Sequence, residues 1–161
     1  MGIAAKDLCQ HVIQPTLAYL GQRPRRNAQA LLLGIAASQS RLGGALCARR
    51  GHGLYGIDKT RHTLLWDRYL ALDPHLASRV RGLASQHAFF TGPELELTVN
   101  LRYATAIAWL LVQHEHPQLP PASDVMAMAR IWKAVFHPSG RLRDFADAWR
   151  NCVSEPEHIL D

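Results

Sequence analysis

Few side chains in this sequence have the type and spacing for chemistry, and the first of them is an amide. Leu32, Ile35, Ala36 and Gln39 recur at i, i+3, i+4 and i+7, which is one face of a helix. Three are apolar, and Gln39 closes the pattern near the helix end. A polar group on an inward face needs hydrogen-bond partners or a cleft. Gln39 is therefore either a core amide satisfied by backbone or a group presented in a site. Asp58 follows nineteen residues later, directly before a second helical pattern, where a carboxylate suits an N-cap. Glu94 and Glu96 read as first-turn charges of a later helix. Metal binding has little to build on, since His114 and His116 stand two apart in a loop with no matching Cys or Asp set. Cys47 lies near His52 in a glycine-rich loop, and no further arrangement supports cysteine catalysis.

The elements that must position these groups are helical. Periodicity predicts a first helix over about 5–20, which Pro15 should kink or split. The central helix runs from Pro24 or Arg25 to Leu42, with Pro24 in its first turn and Gly34 placed to let another helix pack closely. Five glycines fall between Gly43 and Gly56, so this stretch reads as loop and as the rim of a cleft. No strand precedes these glycines and no GK[ST] follows, so they are no phosphate cradle. Further helices are predicted over about 59–71, 74–85, 94–114, 124–136 and 142–152, with loops at 87–93 and 116–121. The tail, residues 154–161, reads as mobile or docked on a partner. No stretch alternates at period two for long enough to make a strand. The expectation is a single all-α domain, residues 1–161, of six or seven helices.

Composition bounds the rest. The 161 residues are 48% hydrophobic and 19% charged, a globular chain long enough to bury a core. The net charge of +5 favours acidic partners and leaves nucleic acid, a phospholipid surface and anionic wall polymer among the candidates. Arg23, Arg25 and Arg26 cluster, as do Arg49 with Arg50 and Arg141 with Arg143; each group alone reads as solvated surface. Three widely spaced cysteines make neither a disulfide framework nor a zinc site. The opening MGIAAKDLCQ has no secretion-signal pattern, and no apolar run reaches 18 residues. The expected place of synthesis is a reducing bacterial cytoplasm, with no membrane span and no cofactor or metal.

The stretch from Ala37 to His62 also resembles a family. Ala37-Ser38-Gln39-Ser40 and Gly53-Leu54-Tyr55-Gly56-Ile57-Asp58 are similar to the helix-ending Glu-Ser and the Gly-Leu-x-Gln motif of lysozyme-like lytic transglycosylases. The likeness is greatest to small bacteriophage-encoded members, whose second motif continues Gln-Met-Glu-Pro-x-Thr-His; His62 matches its last position. Asn100-Leu101-x-Tyr103-Ala104 and Trp132-Lys133 extend the likeness to about residues 31–140. The resemblance implies the helical core of the lysozyme-like fold, and a glutamate serving as general acid, then base, on the glycosidic bond of peptidoglycan. Three positions depart from it: Gln39 stands for that glutamate, Gly56 for the cleft glutamine, and Phe136-His137 for an aromatic followed by Asn.

An amide does not titrate and cannot protonate a leaving oxygen, a loss of about 10²–10⁴-fold or more. Asp58 is the fallback acid, as one of a pair of carboxylates; a helix N-terminus, however, stabilises its charged form. Tyr55, His62, Asn100, Trp132, Phe136 and His137 are the glycan-cleft candidates the resemblance implies. The expectation is a catalytically degenerate, virion-associated phage protein. It would work as a structural or adaptor part of the tail, neck or ejection apparatus, with phage proteins or peptidoglycan as partners. The alternatives are an active peptidoglycan-cleaving enzyme, or a small basic protein binding a host factor or nucleic acid.

Overall fold

The helix from Arg26–Ser40 (α2) is buried on every side: no residue from Ala28 to Ser40 faces solvent. A helix apolar all round belongs inside a bundle, and the other helices pack around this one. A computed structural model of the chain describes residues 2–46, 51–85, 92–153 and 156–160. Cys47, Arg49, Arg50, most of the loop expected over 87–93, and three residues of the tail lie outside the described residues.

Before α2 comes α1, a continuous run of the segments Ala5–Leu8, Cys9–Ile13 and Gln14–Tyr19. The middle segment is π-helical, with the Gln14 amide donating to the Cys9 carbonyl. It lies just N-terminal to Pro15, whose ring removes a donor and crowds the preceding turn. The expected distortion is thus a widened turn rather than a break. After α2 come α3 (Lys59–Leu64, Leu65–Tyr69 and Leu70–Leu72), α4 (Pro74–Leu83), α5 (Pro93–Val99), α6 (Leu101–Glu115), α7 (Val125–Val135), α8 (Leu142–Cys152) and α9 (Pro156–Leu160). The all-α class is correct. Nine helices stand among the described residues, more than the six or seven expected, and they include no strand. No single helix there is long and apolar enough to cross a membrane.

Four local expectations need correction. The helix expected over 94–114 is two helices, α5 and α6, bent by 108°. Asn100 makes the corner: its Oδ1 accepts from the Tyr103 amide and caps α6, while its Nδ2 donates to the Leu83 carbonyl and to Glu96. Local side-chain bonds of this kind compete with the helix ladder. Pro24 lies outside α2, which starts at Arg26 after an extended Arg25, and the helix ends at Ser40 on left-handed Arg41 and Leu42. The tail over 156–160 forms a helix docked on its own chain rather than on a partner: α9 packs on α1 and α2 with Ile159 and Leu160 buried. His114 lies within α6 and stacks on Tyr69, with ring centroids 4.5 Å apart.

Two features hold α2 in place. A Cβ on Gly34 would overlap the ring of Phe145, so the glycine lets α8 approach, as expected from sequence. At the other end, Gln29 accepts from the Cys9 thiol and from Gln14, and donates to the Pro24 carbonyl, tying α2 to α1. Burial pushes the Cys9 thiol up to about 11, so it acts as a packed hydrogen-bond donor.

Candidate functional site

Gln39 stands in the last turn of α2 and is 2% exposed. Its Nε2 donates to the Gly56 carbonyl at 3.1 Å, and its Oε1 accepts from the Trp132 indole at 3.2 Å. Of the two sequence readings, the core amide is the one realised, with one backbone and one side-chain partner. Its neighbour Ser40 lies 2.6 Å from the Leu54 carbonyl and accepts from the Gly43 amide. The C-terminal turn of α2 thus clamps the glycine-rich segment.

The second half of that segment, Gly51–Ile57, is not the open rim its glycines suggested. Over Gly51–Ile57 the chain closes on itself through two bonds between His52 and Ile57, at 2.8 and 3.2 Å. Leu54, Tyr55, Gly56 and Ile57 are all buried. Gly53, at φ +75°, sits against the backbone of α5; a Cβ there would overlap the Leu97 carbonyl. Both the backbone angle and the approach require glycine. Tyr55 is therefore a core residue rather than a cleft wall: it is fully buried and its hydroxyl meets Thr105 at 2.8 Å. Burial also holds its hydroxyl far above the ordinary range, so it stays protonated.

Asp58 serves as the N-cap of α3. Its carboxylate accepts from the Arg61 amide and pairs with the Arg61 guanidinium. His62, one turn on, is 3% exposed and lies 2.8 Å from the Tyr103 hydroxyl, which also accepts from the Trp66 indole. Burial is the main cause that lowers the His62 pKa to about 4, so the ring is neutral near pH 7. With Trp66 donating to the Tyr103 oxygen, the tyrosine proton suits a neutral His62 Nε2 as acceptor. Beyond it, Glu96 is fully buried at the α5–α6 corner; its Oε2 accepts from the Ser85 amide and from Asn100. Sequence reasoning missed this network because Glu96 stands where first-turn charges normally face water.

Trp132 and Phe136 are buried in and after the last turn of α7. His137 covers Trp132, ring centroids 5.6 Å apart, and Gly140 leaves room for that stack, since a Cβ would reach both rings. The structure therefore brings Gln39, Gly56, Trp132 and His137 into one packed corner. It sets His62 and Asn100 against Tyr103, places Tyr55 in the glycine segment against Thr105, and turns Asp58 toward Arg61. Among the described residues, no three His, Cys, Asp or Glu side chains are placed to hold a metal ion.

Comparison with protein-family models, with curated proteins and with solved structures finds no match. The site is thus read from its own geometry. Beside the packed corner runs an open groove of about 800 Å³ between the C-terminal end of α2 and α8. Gln39 forms part of its floor, with Arg41, Asp144, Asp147 and Asn151 around it. The sequence marked none of those four. Asp144 and Asp147 stand in solvent, and Asp147 lies 3.6 Å from Arg150. The groove is lined by polar and charged side chains, and the Gln39 amide in its floor has one N–H and its oxygen engaged inward.

Proposed function

We propose that this chain is a catalytically degenerate lysozyme-like domain used as a structural or adaptor component of a phage particle. One observation supports the degenerate part above all: Gln39 is bonded at both ends to its own fold. A general acid must reach the leaving oxygen and hold a proton for it. Gln39 does neither, and the partners around it suit an amide. Its donor meets a carbonyl and its acceptor meets an indole N–H, so a carboxylate there would face the Gly56 oxygen. Of the residues that carry the phage likeness, Leu54, Tyr55, His62, Tyr103, Ala104 and Trp132 are buried, Gly53, Asn100 and Leu101 half-buried, and Lys133 exposed. Buried residues of this kind preserve a scaffold whether or not its chemistry survives. The groove along α8 is then the surface on which a protein partner or a glycan strand would rest.

The test is turbidity clearing of purified peptidoglycan by the protein beside Gln39→Glu and Asp58→Ala. The reading expects no clearing from any of the three. Clearing by the natural sequence would sink it, and loss of that clearing in a folded Asp58→Ala variant would establish the hydrolase alternative.

A further inference from the structure

Two clefts, each of about 370 Å³, flank Trp109 on α6, and Gln22 and Gln113 line both. The Trp109 side chain is 6% exposed, yet its indole N–H has no hydrogen-bond partner. A buried unmet donor is costly and calls for an acceptor. One of the clefts is lined by donors and positive charge: Arg23, Arg25, Asn27, Gln113 and Gln118 join Trp109, and no carboxylate takes part. Neither Arg23 nor Arg25 has an ion-pair partner among the described residues, whereas Arg26 pairs with Glu157.

The same cleft reaches the start of α2. Asn27 and Ala28 line it, and the extended Arg25 before them makes no side-chain cap. The Ala28 amide donates to Asn27 Oδ1 at 2.9 Å, which leaves the amides of Arg26 and Asn27 at the positive end of a fifteen-residue helix. Three sources of positive potential thus lie along this cleft: two guanidinium groups with no ion-pair partner among the described residues, the first two amides of α2 and an orphan indole donor. Along α2 this cleft is about 18 Å from Gln39 at 1.5 Å per residue, so it is separate from the groove beside α8.

We propose that this cleft is an oxyanion-binding site that takes a phosphate or a carboxylate group. Arg23 and Arg25 supply the charge, and the first turn of α2 adds amide donors. Trp109 gives one hydrogen bond once Gln22 or Gln113, flexible side chains in its wall, swings aside. The site goes beyond the adaptor reading and stands without it, because it uses none of the residues that carry that reading.

The test is a nuclear magnetic resonance titration of the full chain, following the indole N–H signals of its four tryptophans. Inorganic phosphate and acetate are added separately, each against sodium chloride at matched ionic strength. The Trp109 signal is assigned by its loss in Trp109→Phe. The expected result is a saturable shift of that signal with phosphate, acetate or both, and not with chloride. A response to phosphate alone assigns a phosphate-bearing ligand. A response to acetate alone assigns a carboxylate, as a protein partner presents on an acidic side chain or chain end. Arg23→Gln with Arg25→Gln, both at exposed positions, should weaken binding about tenfold or more while the melting temperature holds. Chloride matching the effect, no shift at all, or a shift unchanged in the arginine variant each overturns the proposal. If Trp109→Phe does not fold, the arginine variant decides it through the indole signal that responds to the anion.

Discussion

The Trp132 indole nitrogen lies 3.2 Å from Gln39 Oε1, a hydrogen bond between residues 93 positions apart that locks the end of α7 to the end of α2. With the Gly56 carbonyl on the other side of the amide, it joins three separate parts of the chain at one buried point. The bond has a direction, and a carboxylate keeps only the acceptor half of it.

Gln39→Glu should therefore destabilise the protein. Ionised, the new carboxylate would face the Gly56 carbonyl; neutral, it must keep its proton inside the core. The expected loss is about 1–3 kcal/mol at neutral pH. Burial raises the folded-state pKa of such a group, so the penalty starts above the ordinary carboxyl pKa and grows with pH. The variant should thus approach the parent's stability in acid. Urea midpoints of both proteins between about pH 4 and pH 8 check this; equal midpoints throughout would show that the amide is not an inward tie.

His62 makes the acid limb of stability. Its folded pKa is lowered to about 4 from an unfolded value near 6.5, so the unfolded chain binds the proton first. The contribution of the neutral ring is fully present above pH 6.5 and is lost as pH falls toward 4. The loss amounts to at most about 3 kcal/mol. In His62→Gln, the fall in urea midpoint across that window should flatten. An unchanged slope would assign the acid sensitivity to other groups.

Gly34→Ala sets two effects against each other. Alanine favours a helix interior by about 1 kcal/mol over glycine. The added carbon would overlap Phe145, which is itself fully buried and packed on Trp132. Overpacking of this kind costs about 1–3 kcal/mol, so the net change should be destabilising. Phe145→Leu in the same chain should recover part of it. A double-mutant cycle measured by thermal melting reads the coupling, and simple additivity would contradict the close approach.

Asn100 separates capping from charge. Asparagine and aspartate cap helices about equally well. Here, however, the Asn100 amide also donates to Glu96, which is fully buried. Asn100→Asp would place a second carboxylate against the first and should cost at least as much as Asn100→Ala, on the order of 2–3 kcal/mol. An Asp variant as stable as the parent would mean the Glu96 contact contributes nothing.

The helical class and most helix positions are legible in the chain itself, because a 3.6-residue apolar period is written into each segment. The range of α8 follows from it to the residue, and Gly34 declares a close packing partner without naming Phe145. Asp58 marks a helix start by capping chemistry alone, and it caps α3 in the structure. The α5–α6 corner escapes because a single capping side chain overrides an apolar period that runs on through it. The glycine loop escapes for a related reason: Gly53 answers a tertiary demand, the approach to Leu97, as well as its own positive φ.

What the sequence determined by itself was an all-α chain with a polar residue on the inner face of its central helix and no titrating group at that position. Only the tertiary structure decided how that residue is used, through the Gly56 carbonyl and the Trp132 indole, and which charges stay unpaired. Periodicity reports what one helix does with its own faces. The partner of a buried amide, or the absence of a partner for the Trp109 indole, depends on where distant segments come to rest.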